Sequence, residues 1–234
     1  FQAWIESAAM DIYLVGYTND EAAFFDNAVG KTLGTTGAWI DVDISADTGA
    51  NTAIGVILEI HNAGSSNYNF GVRKNGSADN WVYLILAAGV TWAFIGVDES
   101  EIFEFNVSNA NVKAYVVGYF TKDVVFNANA PDYSLSSTGG YYDLTALPEG
   151  ATGAFIQVCG PSQTRTYALR KNGSSETIYG YVSRQCWAAV ECDESRIIEG
   201  RIDSTAGKFY LSGYTLGDGE PQPGGGKRRF AQFI

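Results

Sequence analysis

The sequence contains a single histidine, His61, so a Ser–His–Asp or Cys–His mechanism would have to run through it. The surrounding residues, 55–62, form an apolar-rich run that predicts a β-strand and not a catalytic loop. No glycine-flanked nucleophile motif lies nearby. We therefore interpret His61 as an ordinary strand residue, predict no catalytic residues, and expect the chain not to be an enzyme.

Paired carboxylates occur twice, in the Asp-Glu-Ser segments at 98–100 and 193–195. Neighbouring carboxylates suit acid–base catalysis or calcium binding. They suit a tight turn equally well, because Asp and Ser side chains accept hydrogen bonds from nearby backbone N–H groups. We favour the turn at both places.

A second acidic group, Asp41, Asp43 and Asp47, loosely resembles the start of a calcium-binding loop. Ala46 stands where that loop needs a glycine, and no glutamate follows at the required spacing. The pattern therefore predicts no metal site, and no other motif predicts a cofactor.

Three asparagines, Asn75, Asn106 and Asn172, begin Asn-x-Ser sequences, which accept N-linked glycans in secreted proteins. Asn75 and Asn172 also begin Asn-Gly pairs, and turn geometry already explains those pairs. Glycosylation of the three asparagines is thus a hypothesis, which a mass equal to that of the bare polypeptide would exclude.

Four tryptophans, Trp39, Trp81, Trp92 and Trp187, carry large aromatic faces on which sugar rings would stack. Trp92 and Trp187, however, occupy the same position in two copies of a repeat. Recurrence at equivalent positions favours core packing, where an aromatic side chain buries a large area. We predict core positions for both.

All three cysteines, Cys159, Cys186 and Cys192, lie in the second half of the chain. The first repeat has other residues at the three equivalent positions, so the shared fold does not need them. Their spacing matches neither a disulfide scaffold nor a metal site. We favour small buried side chains, with one local disulfide in an extracellular setting as the alternative.

Composition favours β-structure and disfavours several partners. The chain is 46% apolar, 14% aromatic and 18% charged, with 27 glycines, which suits short strands joined by tight turns. A net charge of −11 argues against nucleic acid and against anionic membrane surfaces. No run of about 18 apolar residues exists, so we expect no membrane insertion. Residues 1–123 carry a net charge of −10, and the remainder is nearly neutral.

One segment of the chain occurs three times, at 1–17, 103–119 and 198–214, and the copies align without a gap. Each copy predicts two strands with a short connection. The second and third copies each close a unit of about a hundred residues, whereas for the first copy the rest of the unit would lie elsewhere. We therefore expect residues 1–23 to be an orphan strand pair that completes or covers a sandwich in another subunit.

Two tandem units follow, at 24–123 and 124–215. Matched blocks recur in the same order, including the RKNGS sequences at 73–77 and 170–174. About eight strands are predicted in each unit, at spacings of about 8–12 residues, with no long helical pattern. The fold class is therefore all-β, with two antiparallel β-sandwiches that are jelly-roll-like and not immunoglobulin-like.

The Asn-Gly pair at 75–76 lies between two apolar-rich runs, at 68–74 and 80–87. Asn-Gly between such runs predicts a hairpin with a type I′ turn, in which both residues have positive φ. Another tight connection is predicted at Asp98-Glu99-Ser100.

Residues 216–234 form a Gly-rich linker followed by the basic and aromatic sequence KRRFAQFI. We predict that this tail binds a neighbouring subunit by strand addition, attracted by the acidic first half. The residues predicted to dock subunits are Ile12, Tyr13, Leu14, Val15, Tyr17, Lys227, Arg228, Arg229, Phe230, Phe233 and Ile234.

The succession of RKNGS, the Asp-Glu-Ser segments and the YLVGY-type strands resembles tandem β repeats of uncharacterised structural proteins from phages and metagenomic prokaryotes. The resemblance covers residues 1–215 and rests on turn and core residues. It implies a fold and brings no catalytic residues with it.

Taken together, the sequence predicts a non-enzymatic structural subunit of a self-assembling polymer, either a virion component or an extracellular filament. Its partners would be copies of itself. The alternative is a carbohydrate-binding or adhesion module of a longer repeat protein, with surface glycans as partners. Exposure of Trp4 and Trp81 together on one face would favour that alternative.

Overall fold

Sixteen β-strands and one short helix make up the part of the chain that the computed structural model describes, which is residues 17, 18, 20–160, 165–177, 180–182 and 184–217. The first eight strands are β1 Ala22–Gly30, β2 Ile40–Asp43, β3 Gly55–Asn62, β4 Tyr68–Lys74, β5 Tyr83–Ile85, β6 Val90–Gly96, β7 Ile102–Val107 and β8 Val112–Phe120. The other eight are β9 Val124–Phe126, β10 Tyr142–Asp143, β11 Ala151–Cys159, β12 Arg165–Lys171, β13 Gly180–Val182, β14 Gln185–Glu191, β15 Ile198–Ile202 and β16 Lys208–Leu216. The helix α1, Ser45–Thr48, has four residues. No helix in the described part of the chain is long and apolar enough to cross a membrane.

The strands form four antiparallel sheets whose orders repeat. In the first half the orders are β1-β8-β3-β6 and β2-β7-β4-β5, and in the second half they are β9-β16-β11-β14 and β10-β15-β12-β13. Each strand of the first half therefore has one counterpart in the second. This arrangement of eight strands in two sheets is that of a jelly roll. The predicted all-β sandwich fold is confirmed.

Each sandwich encloses apolar side chains that alternate along its strands. Leu58, Phe103 and Phe105 are completely buried in the first, and Ile156 and Phe209 in the second. Strand β1 begins at Ala22, two residues before the predicted unit boundary, because Ala22 pairs with the end of β8. The division of the chain into units at 24–123 and 124–215 stays a prediction.

The copy of the repeated segment at 103–119 forms two strands with a short connection, as predicted, but the two strands do not pair as a hairpin. Strand β7 pairs with β2 and β4, whereas β8 pairs with β1 and β3, so the two strands lie in different sheets. A tight turn joins them, closed by the hydrogen bond from Val112 N to Asn109 O at 3.0 Å. Alternating apolar residues are compatible with a hairpin in one sheet and with two strands in different sheets. Placing the strands in different sheets is favourable because both then bury apolar side chains in the sandwich core.

The predicted β4–β5 hairpin is confirmed, but its predicted turn type is wrong. Tyr68 pairs with Ile85, and the connection between the strands spans residues 75–82. Gly76 has a φ of +76°, whereas Asn75 does not have positive φ, so the turn is not type I′. The Asn75 side chain instead donates a hydrogen bond to Asp98 in the connection between β6 and β7.

Candidate functional site

Phe126 of β9 lies at the junction of the two sandwiches and packs against the first one. A Cβ atom added at Gly55 would overlap the Phe126 ring, and one added at Gly96 would overlap the Phe126 Cβ atom, so this contact requires glycine at both positions. Phe126 also packs near Phe120 of the first sandwich, with ring centroids 5.7 Å apart. Only 7% of the Phe126 surface is exposed. The junction is therefore an extension of the hydrophobic core.

A second aromatic contact crosses the junction near its rim. The Trp81 ring of the first sandwich stacks on Tyr210 of the second, with centroids 3.8 Å apart and 19° between the planes. The Tyr210 pKa is raised to about 12, chiefly because burial disfavours the phenolate. Trp81 is thus part of the junction and is unavailable for a sugar platform, while Trp4 lies outside the described residues.

Polar contacts surround these rings. Ala130 N donates a hydrogen bond to Asp79 Oδ2 at 2.8 Å, and Ala78 N donates one to Asn129 Oδ1 at 2.7 Å. Burial raises the pKa of Asp79, in spite of the hydrogen bonds it accepts. A cavity of about 20 Å³ lies beside Asp79, which is room for roughly one water molecule. The junction has a hydrophobic centre and a polar rim, as stable interfaces do.

The repeated RKNGS and Asp-Glu-Ser sequences meet in both sandwiches. Asn75 Nδ2 donates to Asp98 Oδ2 at 2.6 Å, and Asn172 Nδ2 donates to Asp193 Oδ2 at 2.8 Å. Burial opposes ionisation of Asp98, but the hydrogen bonds from Ile102 N, from Asn75 and from a further backbone N–H outweigh it and lower the Asp98 pKa. The predicted turn chemistry is confirmed, and each turn also links the two sheets of its sandwich.

An arginine clamp also recurs, and sequence reasoning missed it. Arg73 binds Glu104 through two hydrogen bonds, of 2.8 and 3.0 Å, and its guanidinium lies 4.1 Å from the Trp39 ring centroid. In the second sandwich Arg170 pairs with Glu199 at 2.8 Å and lies over a tyrosine ring. The available signal was the arginine in both RKNGS copies together with an aromatic residue at 39 and 141. The clamp holds β4 to β7 and covers one face of Trp39.

The second sandwich carries a cleft of about 480 Å³ beside strand β10. Tyr133 donates a hydrogen bond to Ala146 O at 3.4 Å, and Tyr142 donates one to Thr138 O at 3.1 Å. The Tyr141 pKa is raised by burial, although nearby arginines oppose the shift. The lining combines aromatic rings with hydroxyl groups, from Tyr133, Ser134, Ser136, Ser137, Tyr141, Tyr142, Asp143 and Thr145. Such a surface can bind a polar ring compound. Sequence reasoning identified none of these residues as a binding site.

The predicted docking residues fall mostly outside the described residues. Tyr17 is described, and 62% of its surface is exposed. The remaining docking predictions lie in the two terminal segments that the structure does not describe, at Ile12, Tyr13, Leu14, Val15, Lys227, Arg228, Arg229, Phe230, Phe233 and Ile234. All of them stay predictions.

The three candidate glycosylation sites differ in their surroundings. The amides of Asn75 and Asn172 donate to aspartates, so a glycan on either would replace the hydrogen bond that joins the RKNGS turn to the Asp-Glu-Ser turn. Asn106 lies on β7 opposite Gly71 and is half-buried. Glycosylation stays a prediction at all three.

His61 lies on β3 between Val90 and Lys113 on the neighbouring strands, as expected of a strand residue. The Asp41–Asp47 group forms local contacts: Asp43 accepts a hydrogen bond from Ser45 N, and Asp47 pairs with Lys31 at 2.6 Å. Within the described residues no cluster of three His, Cys, Asp or Glu side chains is placed to hold a metal ion.

The recurring tryptophans differ from each other. Trp187 is 1% exposed and belongs to the core that includes the junction, as predicted. Trp92, its counterpart, is only partly buried, so the prediction of a core position for Trp92 is wrong. Trp92 packs against the edge of the same core in which Trp187 is enclosed.

All three cysteines are free thiols, and Cys159 and Cys192 are buried. Cys186 Sγ donates a weak hydrogen bond to Tyr167 Oη at 3.3 Å, and burial raises the Cys186 pKa to about 12. These thiols are therefore packing residues with little thiolate character.

No family model and no curated protein matches this chain. Among solved structures, one similar chain is the N-terminal CBM22-1-CBM22-2 tandem domain from Paenibacillus barcinonensis Xyn10C, at 10% sequence identity. The match covers 86% of this chain and 94% of that one, with a TM-score of 0.18. A TM-score this low carries no argument about function.

Proposed function

We propose that the chain is a non-enzymatic structural subunit of a self-assembling polymer, either a virion component or an extracellular filament. The observation that carries the proposal is the junction, where Phe126 packs against Gly55 and Gly96 of the other sandwich. Sandwiches that share a core in this way make a stiff element, which is what a polymer needs and a catalyst does not.

Subunits would be joined by the terminal segments. Residues 1–17 match the sequence of β7 and β8, which are inner strands of the two different sheets of a sandwich. A segment of this kind completes both sheets at once, so it would bury its apolar residues only in another sandwich. The basic tail at 227–234 would then bind the acidic first half of a neighbouring subunit.

The experiment removes residues 1–17 and, in a second variant, residues 227–234. Each deletion is expected to abolish assembly in negative-stain images and in light scattering. Circular dichroism is expected to keep its β-sheet signal, because both sandwiches lie between the deleted segments. Assembly of the 1–17 deletion at the level of the intact chain would refute the role of that segment.

A second candidate function, carbohydrate binding, is favoured by the cleft of the second sandwich. Tyrosine rings and hydroxyl groups suit the apolar face and the hydroxyls of a sugar. Calorimetric titration with soluble oligosaccharides should detect binding that Tyr142→Ala removes. Tyr17→Ala is the control, since Tyr17 is exposed and lies outside the cleft. Absence of binding across neutral and acidic oligosaccharides would end this candidate.

A further inference from the structure

The cleft of the second sandwich lies in a stretch of chain that the first sandwich also contains. Residues 126–143 align with residues 24–41 without a gap. The backbone follows the same course in both copies, because Gly37 and Gly139 both have positive φ, of 80° and 86°. Their N–H groups also donate to equivalent carbonyls at the ends of β7 and β15, at 2.8 and 3.2 Å. Differences between the copies in this stretch are therefore differences of side chains.

In the first sandwich a charged side chain ties the corresponding segments together. Lys31 donates a hydrogen bond to Asp43 O at 2.8 Å and pairs with Asp47 at 2.6 Å. Tyr133, at the position of Lys31, donates to Ala146 O at 3.4 Å and brings no charge. Strand β2 has four residues and β10 has two, so the chain leaves the sheet edge earlier beside the cleft. The shared fold forms with either arrangement, so it does not explain the lining of the cleft.

The tyrosines of this cleft, which we call the tyrosine cleft, are held by their hydroxyl groups. Tyr142 Oη donates to Thr138 O at 3.1 Å, and Tyr133 Oη donates to a backbone carbonyl as described. The Tyr142 backbone is fixed as well, since Tyr142 pairs with Gly200 of β15. Tyr142 is nonetheless 39% exposed, so it presents a ring in a fixed position. A fixed aromatic ring stacks on a ligand at a low cost in conformational entropy.

Exposed polar side chains complete the lining. Ser136, Ser137 and Thr145 carry hydroxyl groups, which both donate and accept hydrogen bonds. Asp143 is exposed too, and within the described residues no hydrogen bond or ion pair holds its carboxylate. A carboxylate accepts hydrogen bonds from two neighbouring hydroxyl groups of one ligand. An aromatic ring beside hydroxyl groups and a carboxylate matches the apolar face and the hydroxyls of a sugar.

The charges around the tyrosine cleft disfavour acidic ligands. Asp143 is the one charged residue among the described residues that line it. Its partner across the strand pair is another carboxylate, Glu199, which binds Arg170 at 2.8 Å. Arg170 and Arg201 lie near the Tyr141 ring, but neither of them lines the cleft. An anionic group beside Asp143 would therefore lose water without gaining a cation.

We propose that the tyrosine cleft binds an uncharged glycan, with a sugar ring stacked on Tyr142 and neighbouring hydroxyl groups bound to Asp143, and that Asp143 excludes acidic glycans. The inference rests on the second candidate function, carbohydrate binding, and names its ligand class and two residues that determine specificity. It does not depend on polymerisation or on the terminal segments.

The test is calorimetric titration of the intact chain with two sets of soluble oligosaccharides. The neutral set holds xylo-, cello-, manno- and malto-oligosaccharides, and the acidic set holds oligogalacturonates and hyaluronan fragments of similar length. At least one neutral oligosaccharide is expected to bind, and no acidic one.

Variants of the two residues then locate the site. Asp143→Asn keeps the shape of the side chain and should weaken the neutral ligand about tenfold or more, because hydrogen bonds to a charged group are lost. The same variant should admit acidic oligosaccharides. Tyr142→Phe keeps the ring and should retain binding, whereas Tyr142→Ala should remove it. Asp41→Asn is the matched control, since Asp41 is the exposed equivalent of Asp143 in the first sandwich, and should leave binding unchanged.

The outcomes separate this inference from the function on which it rests. Acidic oligosaccharides that bind the native chain as tightly as neutral ones would overturn the inference and leave carbohydrate binding in place. Neutral binding that Asp143→Asn and Tyr142→Ala leave intact would also overturn it, because the sugar would then lie outside the cleft. If Tyr142→Ala does not fold, Asp143→Asn compared with Asp41→Asn decides. Absence of binding by both sets would end carbohydrate binding together with this inference, without bearing on the structural role.

Discussion

The Phe94 ring of the first sandwich stacks on Phe155 of the second, with centroids 4.9 Å apart and 25° between the planes. The counterpart of Phe94 in the second sandwich is Ala189, and the counterpart of Phe155 in the first is Ile57. Each ring is thus replaced by a smaller side chain in the other copy. The two sandwiches therefore contribute different side chains to the junction, which two identical repeats would not do.

Replacing Gly96 by alanine is expected to destabilise the protein by about 1–3 kcal/mol, because the added methyl group overlaps Phe126 and overpacks the junction. Chemical denaturation measures the change. Gly34→Ala is the control, since a Cβ atom there meets nothing within 4 Å. Equal stabilities of the two variants would show that the packing of Phe126 does not require glycine at position 96.

Phe126→Ala should lower the free energy of unfolding by about 3–5 kcal/mol, because it removes a buried ring and leaves a cavity. Phe24→Ala, the same change at the equivalent exposed position, should stay within about 0.5 kcal/mol of the native value. Both are measured by urea denaturation. A loss for Phe24→Ala as large as for Phe126→Ala would contradict the exposed position of the Phe24 side chain.

Asp98 makes stability depend on pH. Its pKa is lower in the folded chain, so its contribution is present above the ordinary aspartate value of 3.8 and is lost as the pH falls below that value. Asp98→Asn should therefore reduce the loss of stability on acidification, as followed by thermal unfolding at several pH values. Glu99→Gln, at an exposed neighbour, should leave the acid slope unchanged. An unaltered slope for Asp98→Asn would contradict the assigned hydrogen bonds.

Arg73→Lys should destabilise the first sandwich by about 1–3 kcal/mol, since lysine cannot make both charge-assisted hydrogen bonds to Glu104. Lys208→Ala serves as the comparison, because the Lys208–Asp132 pair is solvent-exposed and 3.8 Å long, and should show no measurable change. Calorimetric unfolding compares them. Indistinguishable unfolding temperatures would mean that the clamp contributes nothing.

The sequence predicted most of the fold, since its repeats and turn residues carry local signals. The eight strands of each sandwich follow from the alternation of apolar residues and the spacing of the turns. The turn at Asp98 follows from side chains that bind nearby backbone N–H groups. The placement of β7 and β8 in different sheets could not be predicted, because the same alternating pattern is found in a hairpin and in a pair of strands that belong to two sheets.

The junction between the two sandwiches could not be predicted from the sequence for a related reason. Phe24 and Phe126 are the same residue type at equivalent positions, yet only Phe126 is buried, because it lies against Gly55 and Gly96 of the other sandwich. The arginine clamp likewise requires the strand register that brings Arg73 beside Glu104. Contacts between distant segments depend on the assembled sheets and leave no local pattern.

The most direct test of the structural role is the oligomeric state of the intact chain in dilute neutral buffer, measured by light scattering and negative-stain microscopy. Filaments, rings or shells built from intact subunits are the predicted result. A clean monomer at all concentrations would contradict the structural role and would direct attention to the tyrosine cleft of the second sandwich.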